Sequence, residues 1–215
     1  MTGNDGLRGL YAITDTGLCP DELLAEQVEQ ALQGGCRLLQ YRDKRPQRRL
    51  RRALAERLAR LCRRHGALLI INDDIELAGE VAAQGVHLGR EDPDPLRARA
   101  LLGERAIIGV SCYNRFDLAQ AAARAGADYI AFGRFFSSRT KPDAVQADTG
   151  LLRRGKATLG LPLVAIGGIT PENGGPLIEA GADMLAVVQG IFGQPDIRAA
   201  CRAFSELFEK KEITQ

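Results

Sequence analysis

Read from the amino end, the chain alternates short apolar runs with longer stretches in which apolar positions recur at helical spacing. The apolar runs fall at 10–13, 38–41, 68–71, 86–88, 107–110, 129–132, 163–166 and 185–188. The run Leu68-Leu69-Ile70-Ile71 is apolar on both faces, as a parallel sheet covered on both sides requires. The helical stretches fall at 21–33, 47–65, 75–83, 95–102, 116–125, 148–158, 173–180 and 197–210, so a helix follows each strand. Eight such units in 215 residues predict an α/β fold: one domain, 1–215, forming a single (β/α)8 TIM barrel with parallel strands. Doubly wound sheets of five or six strands fit the spacing less well. The stretches Gly34-Gly35-Cys36, Ala125-Gly126-Ala127-Asp128 and Ala180-Gly181-Ala182-Asp183 put glycine where a helix must end in a left-handed turn. Residues 1–6 and about 209–215 are expected to fray.

A barrel of this kind carries its chemistry at the carboxyl ends of its strands. The second strand ends in Gln40-Tyr41-Arg42-Asp43-Lys44, where alternation puts Gln40, Arg42 and Lys44 on one face. Two cations and an amide in a row suit an oxyanion such as a diphosphate. With Arg45, Arg48 and Arg49 nearby, a solvated basic loop is the plainer alternative. The third strand ends in Asn72-Asp73-Asp74, and the loop after the fourth reads Gly89-Arg90-Glu91-Asp92. Neighbouring strand ends bring Asp73 and Asp92 together, and two carboxylates beside a phosphate row suggest Mg²⁺. Each acid also has a capping alternative, because Asn and Asp favour helix N-termini and Asp-Pro-Asp-Pro marks a turn. Asp74 is the better candidate for the cap.

The fifth strand ends in Ser111. The long loop after Gly133 contains Ser137, Ser138, Arg139, Thr140 and Lys141, hydroxyls and cations able to fold over a charged ligand. Gly167-Gly168 and Val188-Gln189-Gly190, ending the last two strands, match the barrel habit of holding phosphate on backbone N–H groups.

Composition narrows the partners. Lys and Arg number 29 against 27 Asp and Glu, and the arginines are spread along helices, which argues against a nucleic-acid or polybasic membrane surface. No apolar run approaches the roughly 18 residues of a membrane span, and the first residues lack signal-peptide character, so a cytoplasmic protein is expected. Five cysteines without C-x-x-C spacing suggest neither disulfides nor zinc. Cys112 would need a base to act as a nucleophile, and the two histidines, His65 and His87, read as structural.

Taken together, these strand ends resemble the thiamine phosphate synthase family. The resemblance runs from about Gly9 to Gly193. It rests on the row Gln40, Arg42, Lys44, the pair Asn72-Asp73, the loop V-H-L-G-x-x-D ending at Asp92, Ser111, Thr140-Lys141, and I-G-G-I at 166–169. It implies small-molecule substrates, hydroxymethylpyrimidine diphosphate and a thiazole phosphate, condensed to thiamine phosphate and pyrophosphate by a dissociative substitution. Gln40, Arg42, Lys44, Asn72 and Lys141 would hold the pyrimidine diphosphate, with Mg²⁺ between Asp73, Asp92 and that group. Ser111 and Thr140 would contact substrate or leaving pyrophosphate, and Gly168, Val188 and Gln189 the thiazole phosphate. Lys141, Ser111 and Arg42 would be the catalytic set. The chain departs from the family's usual pattern at Gly133-Arg134, where Gly-Pro is common, at Arg90, where Gln is common, and at Gln189, where Ser is common. A related barrel that aromatises or senses the thiazole phosphate would leave the diphosphate row, the two Asp positions and Thr140-Lys141 without a purpose; a barrel that only binds phosphate is the non-enzyme alternative.

Overall fold

A computed structural model describes residues 6–137 and 146–213, with side chains to 209. Eight parallel strands close into a barrel in sequence order: β1 Gly9–Ile13, β2 Leu38–Tyr41, β3 Leu68–Asn72, β4 Gly85–Leu88, β5 Ile107–Tyr113, β6 Tyr129–Gly133, β7 Leu163–Ile166 and β8 Met184–Val187. The helices are α1 Leu24–Gln33, α2 Arg48–Arg64, α3 Ile75–Glu80, α4 Pro95–Leu102, α5 Phe116–Arg124, α6 Thr149–Thr158, α7 Pro171–Glu179, α8 Gln189–Phe192 and α9 Ile197–Ile213. The single TIM barrel is therefore as expected, and the differences lie at element ends.

α1 begins at Leu24, three residues later than expected, because the N–H groups of Leu23 and Leu24 first close a turn onto the Pro20 carbonyl. α7 begins earlier, at Pro171, behind a reciprocal cap in which Asn173 Oδ1 accepts from the Thr170 N–H. The four-residue α8 was not foreseen, being too short to leave a periodic signature. β5 runs on to Tyr113 through an irregularity between Ser111 and Tyr113.

Two apolar layers result. The outer one lies between strands and helices; α2 contributes Leu54, Leu58, Leu61 and Cys62 from one face while its arginines stay on the other. The inner one fills the barrel with Leu7, Ile13, Leu38, Ile70, Val164 and Met184, beside Tyr11 and Tyr129. The Tyr11 and Tyr129 rings meet edge to face at 6.0 Å, and His87 stacks on Tyr129 at 5.6 Å. Gly109 makes room for this, since a Cβ there would lie 1.9 Å from Tyr129 Cζ.

The repeated glycines do end helices in left-handed turns, with φ of 99° at Gly35, 82° at Gly126 and 114° at Gly181. The aspartate two residues later has a role that the pattern alone did not reveal. Asp128 accepts from the Ile108 N–H at the start of β5, and Asp183 from the Leu163 N–H at the start of β7. Gln84 does the same for Leu69 in β3. Arg99 and Lys156 pair with the two aspartates from outside. Among the described residues, no helix is long and apolar enough to cross a membrane.

Candidate active site

β2 delivers its residues alternately to two sides. Gln40, 3% exposed, points into the barrel, where its Nε2 donates to Tyr11 Oη at 2.8 Å. The Arg42 N–H donates to Thr14 Oγ1, and its guanidinium lies 3.4 Å from Asp15. Lys44 Nζ lies 3.1 Å from an Asp73 oxygen. The intervening residues build the loop's foundation: Tyr41 donates to Asp43, and Arg45 forks onto both Asp43 and Asp21. Burial works to raise the Asp43 carboxyl, but the bonds from Arg45 outweigh it and hold the group below the usual carboxylate range. Arg45 is thus structural and ion-paired, not part of a solvated basic loop. The sequence carried one signal of this: Asp43 and Arg45 stand out of phase with the Gln40-Arg42-Lys44 row.

At the end of β3 the three polar residues separate. Asp74 caps α3, its Oδ1 accepting from the Leu77 N–H at 2.9 Å, as anticipated. Asp73 takes a left-handed φ of 64° and donates its own N–H to the His87 carbonyl. In the neighbouring loop Asp94 caps α4 through the Leu96 N–H, which leaves Asp92 for other work. Asp92 Oδ2 accepts from the Gly89 N–H at 2.6 Å. Its carboxyl is raised, first by burial and then by the hydrogen-bonded Asp73 side chain beside it. Negative charge gathered this way is relieved by a cation placed between the two side chains. Lys44 supplies part of that countercharge. The described residues hold no group of three or more acidic, His or Cys ligands. A pair of carboxylates, with Asp73 opening to a cleft and Asp92 beside it, is nonetheless the protein share that Mg²⁺ takes when water and substrate phosphate complete its shell. The cleft is about 420 Å³ and is lined by Lys44, Asn72, Asp73, Arg51 and Arg97.

Ser111, on β5, ends a hydrogen-bonded series that begins at Gln40. Tyr11 Oη lies 2.8 Å from Tyr129 Oη, which lies 2.9 Å from His87 Nδ1, and His87 Nε2 lies 2.8 Å from Ser111 Oγ. Burial pushes the imidazole down to about 4, against the opposing charge of Asp92, so His87 is neutral at ordinary pH. Reading His87 as structural missed this link, which depends on β4, β5 and β6 lying side by side. Cys112, also buried, has its thiol pushed up to about 12 by burial and does not serve as a nucleophile.

On the other side of the mouth, Gly168 has φ 63°, and a Cβ there would lie 2.4 Å from the Ser137 carbonyl oxygen. The chain after β6 runs against this turn, with Phe136 donating its N–H to Gly167 O at 3.0 Å. Val188 precedes α8 and Gln189 is its exposed first residue. Thr140 and Lys141 lie outside the described residues. The structure thus brings Gln40, Arg42, Lys44, Asn72, Asp73, Asp92 and Ser111 to the β2–β5 side of one barrel end, with Gly168, Val188 and Gln189 on its β7–β8 side.

The chain is similar to known proteins over nearly its whole length. A family model described as thiamine monophosphate synthase matches residues 10–191. A thiamine-phosphate synthase of Nitrosococcus oceani is 53% identical over 205 residues, covering 95% of this chain and 94% of that protein. One of Thioalkalivibrio sulfidiphilus is 50% identical, covering 94% and 96%. Among solved structures, a thiamine phosphate pyrophosphorylase from Pyrococcus furiosus superposes with a TM-score of 0.87 at 33% identity, covering 96% of this chain and 97% of that one.

Proposed function

The chain belongs to the thiamine monophosphate synthase family, and from that premise we propose that its barrel mouth joins hydroxymethylpyrimidine diphosphate to thiazole phosphate by a Mg²⁺-assisted dissociative substitution. The enzyme is a transferase making thiamine phosphate. The observation that carries the mechanistic reading is the meeting of Asp73, Asp92 and Lys44 beside the Gln40-Arg42 row.

Departure of a diphosphate concentrates negative charge on the leaving oxygens, and fixed cations stabilise it most where that charge develops. The Arg42 main chain is fixed by its N–H bond to Thr14 Oγ1 and its guanidinium is paired with Asp15, so its charge is placed before substrate arrives. Lys44, 64% exposed, has room to exchange Asp73 for a diphosphate oxygen. Asp73 and Asp92 would hold Mg²⁺, which when bound adds Lewis-acid charge at the diphosphate. Gln40 and Asn72 offer amides to the pyrimidine ring, and Ser111 a hydroxyl to the substrate or leaving group. Lys141, as the family pattern has it, would hold the diphosphate, and Thr140 would contact substrate or leaving pyrophosphate. The turn at Gly168 and the start of α8 at Val188 and Gln189 offer backbone N–H groups to the thiazole phosphate. The attacking thiazole nitrogen carries no proton, so no general base is needed, which agrees with a neutral, hydrogen-bonded His87 and an inert Cys112. The five buried, unpaired cysteines suit a reducing compartment, and a cytoplasmic location goes with this reading.

Purified protein given both substrates and Mg²⁺ is expected to release pyrophosphate and form thiamine phosphate, and a chelator is expected to stop it. Absence of pyrophosphate release would defeat the functional reading. Turnover indifferent to chelation would defeat its metal component alone.

A further inference from the structure

Gln40, Tyr11, Tyr129, His87 and Ser111 form a line of four hydrogen bonds across the barrel interior. Polar groups in such a place are costly unless every bond is filled. Each tyrosine brings one hydroxyl proton, and the neutral imidazole brings one N–H. Each of the four contacts needs one proton, and only two arrangements supply it throughout. In the first, the Gln40 amide donates to Tyr11, Tyr11 to Tyr129, Tyr129 to His87 Nδ1, and His87 Nε2–H to Ser111, whose own proton is left for the site. In the second, every bond is reversed, and Tyr11 donates to the Gln40 carbonyl oxygen after the amide has turned over. Any mixture leaves one contact with two protons or none.

We propose that Tyr11, Tyr129 and His87 are positioning residues whose one-way hydrogen-bond chain ties the amide orientation of Gln40 to the hydroxyl orientation of Ser111. The proposal rests on the reading that Gln40 and Ser111 touch substrate. Its consequence is a selection rule. The two ends accept a ligand that presents a donor to Gln40 and an acceptor to Ser111, or the reverse, and penalise one that presents the same character to both. A heteroaromatic ring bearing an amino group and ring nitrogens meets that rule.

The chain has only two histidines, so ¹⁵N-histidine labelling reads the His87 tautomer directly. The unsubstituted protein is expected to show the Nε2–H form, which is the first arrangement. Gln40→Glu, at a pH where a ¹³C spectrum shows the side-chain carboxyl ionised, can only accept from Tyr11. His87, three hydrogen bonds along the chain, is then expected to switch to Nδ1–H. In Tyr129→Phe, which removes one oxygen from the middle, KM for the pyrimidine diphosphate is expected to rise about tenfold while KM for the thiazole phosphate stays within about twofold. An Nε2–H tautomer beside an ionised carboxylate overturns the coupling. Unchanged KM values in Tyr129→Phe, or an equal rise in both, overturn the positioning role. Lack of pyrophosphate release by the unsubstituted protein would instead defeat the proposed function, and the tautomer result would stand apart from it.

Discussion

Burying His87 as a neutral ring makes the barrel acid-sensitive in a way that can be calculated. Its pKa falls from 6.5 to about 4 because burial disfavours the imidazolium, with Asp92 opposing. The sign follows from linkage: a group with a depressed folded-state pKa takes up its proton more readily when unfolded, so stability is intact above 6.5 and drains away as pH falls toward 4. At 1.36 kcal/mol per unit, the full loss is about 3 kcal/mol, and about 2 kcal/mol is gone by pH 5. His87→Gln keeps a polar side chain of similar reach and removes the titration. The chain has no tryptophan, so urea unfolding is followed by far-ultraviolet circular dichroism at pH 8 and pH 5. The native protein is expected to lose about 2 kcal/mol more than the variant across that interval. Whatever the substitution costs at pH 8 drops out of the comparison, as do the carboxylates common to both. Equal losses in the two proteins would refute the claim that the ring is held neutral by burial.

Two further outcomes test the site and its support. Asp73→Ala should cut Mg²⁺-dependent turnover by about 100-fold or more while lowering the melting temperature by only about 2–4 °C, because Ala tolerates the left-handed backbone there less well than Asp but Asp74, not Asp73, caps α3. Near-normal turnover would remove the metal assignment. Gly109→Ala would drive a methyl group into Tyr129, which is held by Tyr11 and His87 and has nowhere to move. A loss of about 3 kcal/mol, or a drop of roughly 6–12 °C in melting temperature, is expected by thermal circular dichroism; an unchanged melt would mean that the inner layer is looser than described.

The strands were legible because a covered parallel sheet demands residues apolar on both faces, and 68–71 could hardly be anything else. Asp74 was legible as a cap, and Asp73 with Asp92 as partners, because both inferences need only local spacing plus the adjacency of neighbouring loops. What escaped was everything fixed by pairing across the sheet. Ser111 and His87 lie 24 positions apart, Tyr11 and Tyr129 118 apart, and no periodicity encodes such a contact. The Asp128 and Asp183 seams were missed for the same reason, although the repeated motif had marked the positions. Arg45 was misjudged because a charged loop residue looks solvated until its partners are seen. Thr140 and Lys141 rest on the family pattern alone.

The alternation at the end of β2 has a consequence for how this enzyme can change. Tyr41, Asp43 and Arg45 fasten the loop to the body of the protein, while Gln40 enters the barrel, Arg42 pairs with Asp15 and Lys44 borders the cleft. Foundation and function alternate along the same six residues. Arg42 and Lys44 can therefore be varied, by selection or in a library, without unmooring the segment that displays them. New specificity for phosphorylated substrates has its most economical starting point there, at alternate positions of a single strand end.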